Sequence, residues 1–472
     1  MSARWREASA AKRCVLLACG AALLVLIGFM GLVATELIAY NPIKIRASSP
    51  KDPKNLALIE QGGYLAKLGN CAACHTDRGG APFAGGKPIH TPFGAVFASN
   101  ITPDVQHGIG NWSADAFYRA LNRGVNAQGK LLTPAFPYPN TTHVSRSDSD
   151  SLYAYFMEGV QPVQQPNKAH ELQFPFNTQI ALAVWRVLFF ERDTDATTNS
   201  IASNVYSIRA NSRNLLEDQV ERGRYIVQGL AHCSACHAQR NALGAARSDG
   251  LLAGALMPMQ DWYAPSLHAA QEAGVQHWPR EQVVALLKNG ITHNASVLGP
   301  MAEVVSKSTQ FWRDEDLQAT AAYLQSLPVR HAPARAGGQN LSPAATQSAR
   351  PTRQQGANLY AQHCATCHGD KGQGLNETDA LAPQGILRIP ALAGNRAVSL
   401  ASSANLVRII LAGGYAPSTS GNPRPYGMPP FVHVLTDEDI ADVATYIRTS
   451  WGNQADAVSG SQVVAQRRGV LR

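Results

Sequence analysis

The chain has 472 residues, which corresponds to about three domains at roughly 100–200 residues per domain. Charged residues make up 16% of the chain and hydrophobic residues 45%, a balance that excludes a disordered protein and a coiled coil. The net charge of +8 allows a membrane surface, an acidic partner or nucleic acid, but the basic residues are dispersed, which argues against nucleic-acid binding.

The first element in the chain is an apolar helix. Residues Val15 to Ala34 carry no charge, and twenty helical residues span about 30 Å, the thickness of a bilayer core. Basic residues precede this run, so the positive-inside rule predicts a cytoplasmic segment 1–13, a transmembrane anchor 14–40 and export of the rest. The alternative is a cleaved signal peptide, whose apolar region is normally shorter. We predict a retained single-pass anchor in a bacterial inner membrane, with the exported part in the periplasm.

The eight cysteines fall into two groups. Cys14 and Cys19 lie in the anchor, and the other six form three C-x-x-C-H motifs. Two thiols three residues apart can form thioethers to one haem, and the adjacent histidine supplies the proximal iron ligand. A zinc site would need two such pairs to share one metal, and a thioredoxin motif would need a βαβ context. The motifs predict three covalently bound haem c groups, held by Cys71, Cys74 and His75, by Cys233, Cys236 and His237, and by Cys364, Cys367 and His368.

The three motifs also indicate a repeat of whole domains. Each motif follows a short helical pattern and precedes an amphipathic helix and a closing helix, the last of which has a predicted N-cap pair at Thr436 and Asp439. We predict a mainly α protein with three tandem class I cytochrome c-like domains behind one N-terminal transmembrane helix. The predicted boundaries are domain 1 at 55–193, a linker at 194–216, domain 2 at 217–329, a linker at 330–352, domain 3 at 353–453 and a polar, frayed tail at 454–472.

Two of the three domains offer a distal iron ligand. Haem iron in electron-transfer cytochromes commonly takes a methionine, which raises the reduction potential. Met301 follows His237 at nearly the same distance in the chain as Met428 follows His368. Each is in a Pro/Gly-rich loop before the closing helix. We predict that both are iron ligands.

The first domain departs from this pattern. The same spacing counted from His75 reaches Phe136, which cannot ligate iron. Haem 1 is then either five-coordinate or bound by a nearby group. His143 is the closest alternative, and Met157 would require the closing helix to move. We expect haem 1 to have a lower potential than the other two haems.

A second position, after each motif histidine, can be compared between the three domains. Pro265 and Pro390 follow their motif histidines at comparable distances in the chain, and Ser99 occupies this place in the first domain. In small c-type cytochromes such a carbonyl accepts the hydrogen bond of the proximal imidazole. We predict the same contact here.

Several longer strings make the chain similar to a known family. Over roughly 56–453 it resembles the triheme cytochrome c subunits of membrane-bound periplasmic dehydrogenases. The strings are TPFGAVFASNITPD (91–104), GIGNWS (108–113), LYAYFMEGV (152–160), GPMAEVVSKSTQ (299–310) and TYIRTSWGN (445–453).

The resemblance implies an electron-transfer subunit rather than a catalytic one. It implies a catalytic partner containing molybdopterin, a quinone cofactor or flavin, a small iron–sulfur or accessory subunit, and a quinone or terminal oxidase as acceptor. Relatives that oxidise alcohols and gluconate usually carry methionine where Phe136 stands. The Phe136 loop and the N-terminal anchor therefore resemble the branch that accompanies molybdenum hydroxylases.

Two other functions stay open from the sequence. An open iron at haem 1 would suit a peroxidase-like enzyme, and an anchored cytochrome could instead belong to a terminal oxidase. No dinucleotide-binding, nucleophile-elbow or P-loop motif indicates an organic substrate site.

Overall fold

The computed structural model describes residues 2–43, 56–191, 215–292, 294–330, 343–375 and 389–471. Helices dominate, as predicted, and the strands form short antiparallel pairs. Three parts of the chain each contain one C-x-x-C-H motif. We call their described residues the first segment (56–191), the second segment (215–330) and the third segment (343–471).

The first helix, α1, runs from Ser2 to Ile38 and contains the predicted anchor. Its part from Val15 to Ile38 is long and apolar enough to cross a membrane, and no residue of its most apolar window is buried. The basic segment before it continues the same helix, because Ala, Glu, Lys and Arg are good helix formers. After α1, the Ile43 N–H donates to the Ala127 carbonyl (3.1 Å), which ties the chain after α1 to the first segment.

The first segment combines helices with a small sheet of order β1-β2-β3. Three of its helices begin after a Ser or Thr whose hydroxyl accepts a backbone N–H, at Ser113, Ser145 and Thr178. The helices are α2 (Leu56–Leu68), α3 (Cys71–His75), α4 (Ala114–Arg123), α5 (Tyr138–Thr141), α6 (Arg146–Ala154) and α7 (Gln179–Phe189), with a π-helical turn, Tyr155–Gly159, after α6. The strands are β1 (Pro88–Thr91), β2 (Gly94–Phe97) and β3 (Glu171–Leu172).

The second and third segments repeat the order of helix, motif helix, central helix and closing helix. The second contains α8 (Leu215–Gln228), α9 (Ser234–His237), α10 (Arg280–Asn289), α11 (Gly299–Lys307) and α12 (Asp314–Ser326), with β4 (Ala255–Leu256) paired to β5 (Tyr263–Ala264). The third contains α13 (Pro343–His363), α14 (Ala365–His368), α15 (Ala404–Ala412), α16 (Asp437–Thr449) and α17 (Gly460–Val470), with β6 (Gly414–Tyr415) paired to β7 (Gly427–Met428). The predicted cap of α16 is confirmed, because Thr436 and Asp439 form a reciprocal capping box.

In all three segments the helix before the motif crosses the closing helix at a glycine. A Cβ built on Gly62, Gly223 or Gly356 would lie 1.9 to 2.3 Å from a carbonyl oxygen of the closing helix. Only hydrogen fits at such a distance, so the two backbones touch. This crossing lies eight to ten residues before the first cysteine of each motif.

The first two segments share one hydrophobic core. A single cluster of buried side chains contains Leu65 and Phe156 from the first segment with Ile226 and Leu317 from the second. A separate cluster around Val407 and Ile440 forms the core of the third segment. The first and second segments therefore pack as one body, while the third has its own interior.

Two helices begin inside the predicted linkers. The first linker, 194–216, lies outside the described residues except at its end, where α8 begins at Leu215. The predicted linker 330–352 is shorter than expected, because α13 begins at Pro343. Proline is favoured at the start of a helix, and two alanines, the best helix formers, follow it. Residues 331–342 lie outside the described residues.

The prediction of a frayed tail at 454–472 is wrong. Ser459 and Gln462 cap α17 reciprocally, and Val463 is fully buried against the third segment. The Arg467 guanidinium donates to the Asp437 carboxylate (2.6 Å) and to the carbonyls of Val432 and Leu435. The tail is polar in sequence because Arg467, the residue that holds it in place, is charged. The hydrogen-bond partners of Arg467 lie outside α17.

We expect Arg467→Ala to destabilise the third segment by about 1.5–3 kcal/mol, the usual contribution of hydrogen bonds to a charged group. The control is Arg468→Ala, because the neighbouring Arg468 is exposed and such surface changes stay within about 0.5 kcal/mol. Thermal unfolding of the two holo-protein variants gives the comparison. Equal midpoints would show that α17 does not stabilise the third segment.

Candidate functional site

Each C-x-x-C-H motif folds as one short helical turn. In the second and third motifs the histidine N–H donates to the carbonyl of the first cysteine, at 3.0 Å for His237 and 2.9 Å for His368. Residues four apart lie on the same face of a helix, so this turn presents the first cysteine and the histidine together. None of the six motif cysteines forms a disulfide within the described part of the chain.

The second ring nitrogen of each motif histidine is held by a backbone carbonyl. His75 Nδ1 lies 2.7 Å from the Ser99 oxygen. His237 Nδ1 lies 2.7 Å from the Pro265 oxygen, and His368 Nδ1 lies 3.1 Å from the Pro390 oxygen. The predicted contacts are thus confirmed at all three positions.

These contacts determine the tautomer of each imidazole. A carbonyl oxygen only accepts hydrogen bonds, so Nδ1 must carry the proton and donate it. Burial lowers the pKa of His75, His237 and His368, which keeps the rings neutral. The lone pair is then on Nε2, the atom that a haem-binding histidine offers to iron.

A glycine supports each of these histidines, and the sequence analysis missed it. The N–H groups of Gly85, Gly254 and Gly374 donate to the carbonyls of His75, His237 and His368 at 2.8, 2.8 and 2.9 Å. All three glycines have φ between 71° and 81°. A Cβ on any of them would lie 2.4 to 2.5 Å from backbone next to the carbonyl that holds Nδ1. The glycine therefore joins the histidine to the loop that orients its ring.

The surroundings of the motif cysteines are apolar. Burial raises the pKa of the Cys71 and Cys233 thiols to about 12 and that of Cys364 to about 11. A buried thiol of high pKa is a poor free nucleophile or metal ligand. These environments suit an uncharged thioether better than a thiolate.

The third segment encloses a cavity that brings its predicted ligands together. Cys364, His368, Pro390 and Met428 all line one cavity, and an apolar cavity with a few convergent polar groups is typical of a cofactor site. The rest of its wall is almost entirely aliphatic or aromatic. A second-segment residue, Leu298, also lines it. The donor set and the apolar wall fit a covalently held haem with His368 and Met428 on the iron.

The structure also places the second predicted distal ligand, Met301, and two residues of the first segment that were considered for the distal position. Met301 is half-buried in the first turn of α11, two residues after the left-handed Gly299. Phe136 is half-buried in the turn before α5, where its N–H donates to the Thr133 carbonyl. Met157 lies in the π-helical turn and packs against the core shared by the first two segments.

The loop after Phe136 is directed at the second segment. The Asn140 amide donates to the Gln228 carbonyl (3.0 Å) and to the Ser234 hydroxyl (2.7 Å). The Cβ of the half-buried His143 lies 3.6 Å from the position that a Cβ on Gly229 would take. His143 therefore stands at the boundary between the first two segments.

The first and second motifs also lie close to each other. His232, which precedes Cys233, donates through Nε2 to the carbonyl of Gly69 (3.2 Å), two residues before Cys71. Burial raises the pKa of the Cys236 thiol, Arg240 opposes the shift, and the nearby Cys74 thiol adds to it. The two cysteine pairs are therefore neighbours across the boundary.

Two tyrosine–aspartate contacts connect the same segments reciprocally. The Tyr64 hydroxyl in α2 donates to the Asp316 carboxylate in α12. The Tyr225 hydroxyl in α8 donates to the Asp148 carboxylate in α6 (2.6 Å). Each segment thus gives its pre-motif tyrosine to the closing helix of the other, an arrangement typical of an isologous interface.

The motif turns, the carbonyl-bonded histidines and the apolar pocket define a c-type cytochrome. A family model for cytochrome c matches residues 220–328 and 354–451. The alcohol dehydrogenase (quinone) cytochrome c subunit of Gluconobacter oxydans (strain 621H) is 36% identical over 414 residues, covering 86% of this chain and 81% of that protein. The gluconate 2-dehydrogenase cytochrome c subunit of Pantoea cypripedii is 37% identical over 429 residues, covering 89% and 92%.

A nicotinate dehydrogenase subunit of Pseudomonas putida is 33% identical over 407 residues, covering 86% of this chain and 31% of that protein. The chain belongs to the family of cytochrome c subunits of dehydrogenase complexes. It is an electron-transfer subunit that carries covalent haem c and works with a catalytic dehydrogenase subunit. The resemblance inferred from the sequence is thereby confirmed.

Proposed function

We propose that this chain is a membrane-anchored triheme cytochrome. It carries electrons from a periplasmic dehydrogenase subunit to ubiquinone or a terminal oxidase. The observation that carries the proposal is the hydrogen bond from Nδ1 of His75, His237 and His368 to a backbone carbonyl. The same contact at all three histidines leaves the lone pair on Nε2, which supports three iron sites rather than one or two.

Each segment, on this proposal, is one cytochrome c-like domain. Cys71, Cys74 and His75 hold the first haem, and the corresponding residues of the second and third motifs hold the others. Met301 and Met428 are the distal ligands of the second and third haems. Bound haem c supplies one-electron redox chemistry, while the protein positions the groups, selects the histidine tautomer and keeps water out.

The contacts between segments support a serial arrangement of the three sites. The first and second motifs adjoin through the His232–Gly69 hydrogen bond. The second and third segments adjoin at the third pocket, where Leu298 stands three residues before Met301. The second site therefore lies between the other two along the chain of contacts.

Helix α1 is the proposed membrane anchor. It is the helix of the described residues that meets the length and hydropathy required of a span, and the basic residues before it favour a cytoplasmic N-terminus. The three segments would then be periplasmic. Their donor is a catalytic subunit containing molybdopterin, a quinone cofactor or flavin, with an iron–sulfur or accessory subunit beside it.

The test is a spectroelectrochemical titration of the full-length holo-protein. We expect three haems per chain, of which two have high potentials and a methionine–iron charge-transfer band and one has a lower potential without that band. Met301→Leu and Met428→Leu should each lower one high potential by about 0.1–0.3 V, within the roughly 0.8 V that axial ligands span. Three equal high potentials, or two haems per chain, would contradict the proposal.

Phe136 favours a second candidate function, a peroxidase-like activity at an open first haem. Phe136→Met tests it in the same titration. If the first iron lacks a strong distal ligand, the added methionine should raise the lowest potential, add a third charge-transfer band and slow the binding of carbon monoxide. Rapid peroxide turnover by the wild-type protein, lost in this variant, would identify an enzyme instead.

A further inference from the structure

Helix α7, Gln179–Phe189, has its polar and apolar faces reversed relative to a helix on a water-facing surface. Its buried positions are Ala183 and the charged Arg186. Its outward positions are apolar: Ile180 is 62% exposed and Leu188 is 50% exposed. Val184, half-buried, lies between them on the same face, since residues four apart share one side of a helix. A helix facing water carries its charges outward and its apolar stripe inward.

Interactions inside the protein hold the charge of the buried Arg186, although its Nη2 has no hydrogen-bond partner among the described residues. Arg186 Nε donates to the Glu36 carboxylate of α1 (2.7 Å), and Nη1 donates to the Arg123 carbonyl (2.6 Å). The guanidinium also lies over the rings of Tyr138 and Phe190, with its carbon 5.3 and 4.6 Å from the ring centroids. Because the charge is neutralised from within, the outer face of α7 needs no contact with water.

The contact with α1 fixes where α7 lies along the apolar span. Glu36 stands in the last turns of α1, and Val33 of α1 packs with Leu182 and Ala183 of α7 in one small cluster. The span ends at Ile38. A helix packed against its final turns must lie at the boundary between the acyl chains and the headgroups.

We propose that α7 is an interfacial helix that lies in the outer leaflet surface beside the anchor, with Ile180, Val184 and Leu188 in contact with lipid. This inference rests on the proposed role of α1 as a membrane anchor. Continuity with that anchor favours a bilayer as the occupant of the stripe over a catalytic subunit or a second copy of the chain. Phe174, before the helix, is 82% exposed and adds apolar surface nearby. The first segment would thus contact the membrane through α7 and through Phe174.

The test uses full-length holo-protein in vesicles of phosphatidylcholine and phosphatidylglycerol. A photoactivated aryl diazirine dissolved in the bilayer labels side chains in contact with lipid, and peptide mass spectrometry locates the label. We expect label on α1 and on α7, and at least about tenfold less on α10 (Arg280–Asn289), which packs in the second segment away from the anchor. Labelled α1 with unlabelled α7 would overturn this inference and leave the anchor standing. Label on neither helix would overturn the anchor as well.

Further measurements identify what covers the apolar face of α7. The triple variant I180S/V184S/L188S should lose the label on α7 while keeping its haem spectrum. The control L215S/L216S, which changes two exposed leucines of α8, should label as the wild type does. Strong labelling of α7 by a water-soluble diazirine in these vesicles would overturn the inference. So would protection from both reagents together with a dimeric mass, which would assign the stripe to a second copy.

Discussion

A Gly254→Ala variant is expected to lose about 2–5 kcal/mol of stability and to disturb the proximal histidine of the second site. Gly254 has φ of 81°, where a side chain costs about 1–2 kcal/mol. Its new Cβ would also lie 2.5 Å from the Ser266 nitrogen and 2.9 Å from the Pro265 carbonyl carbon. The backbone must shift to relieve this overlap, at a further cost of about 1–3 kcal/mol. Pro265 is the residue whose carbonyl holds His237.

Gly244→Ala is the matched control for this prediction. Gly244 has a similar φ of 77°, but the nearest atom to its Cβ would be Phe93 Cε2 at 3.5 Å, an ordinary contact. Gly244→Ala should lose only about 1–2 kcal/mol, which is what a side chain costs at this φ. It should leave the reduction potential of the second haem unchanged. Denaturant unfolding followed by haem absorbance, together with redox titration, compares the two variants. Equal losses and unchanged potentials in both would mean that Gly254 does not support the histidine.

The sequence revealed the histidine acceptors but not the glycines that brace them. Pro265 and Pro390 were predictable because a proline at similar distance follows two motifs. Gly85, Gly254 and Gly374 follow their histidines at very unequal distances in the chain, so no common spacing links them. Their equivalence depends on φ and on a backbone contact, which appear only when the loops are folded.

The helix order was also accessible from the sequence, whereas contacts between segments were not. Amphipathic periodicity and cap residues report on one helix at a time. The partner of Arg467 is Asp437 in another helix, and the partner of Arg186 is Glu36 in the anchor. A polar residue that is buried by a remote partner looks like a surface residue in the sequence. This is why the tail and α7 were not recognised.

One aspartate position in the closing helix explains why the third segment attaches differently from the first two. Asp148 and Asp316 lie three residues before the carbonyl that contacts the crossing glycine, and each accepts a tyrosine from the other segment. Asp439 occupies this place in the third segment, but it caps its own helix with Thr436. The third segment instead pairs Asn405 with the backbone of Tyr263, by two hydrogen bonds of 2.8 Å.

Asp316 is the residue of this interface whose loss should cost most. It is 3% exposed, and its carboxylate accepts hydrogen bonds from Arg222 Nε (2.7 Å), Arg222 Nη2 (3.1 Å) and the Tyr64 hydroxyl. Arg222 is itself only 7% exposed. Asp316→Ala would therefore leave a buried guanidinium without its carboxylate, which costs about 3–5 kcal/mol.

The control is Asp314→Ala, two residues earlier in the same helix. Asp314 pairs with Lys288 at 2.5 Å, but its side chain is 77% exposed, and such pairs contribute about 0–1 kcal/mol. Unfolding of the holo-protein by urea should separate the two variants by at least about 2 kcal/mol. Because Asp316 joins the segments through Tyr64, Tyr64→Phe combined with Asp316→Ala should cost less than the sum of the two. Additive losses, or an Asp316→Ala variant as stable as the control, would show that the reciprocal contact does not hold the first two segments together.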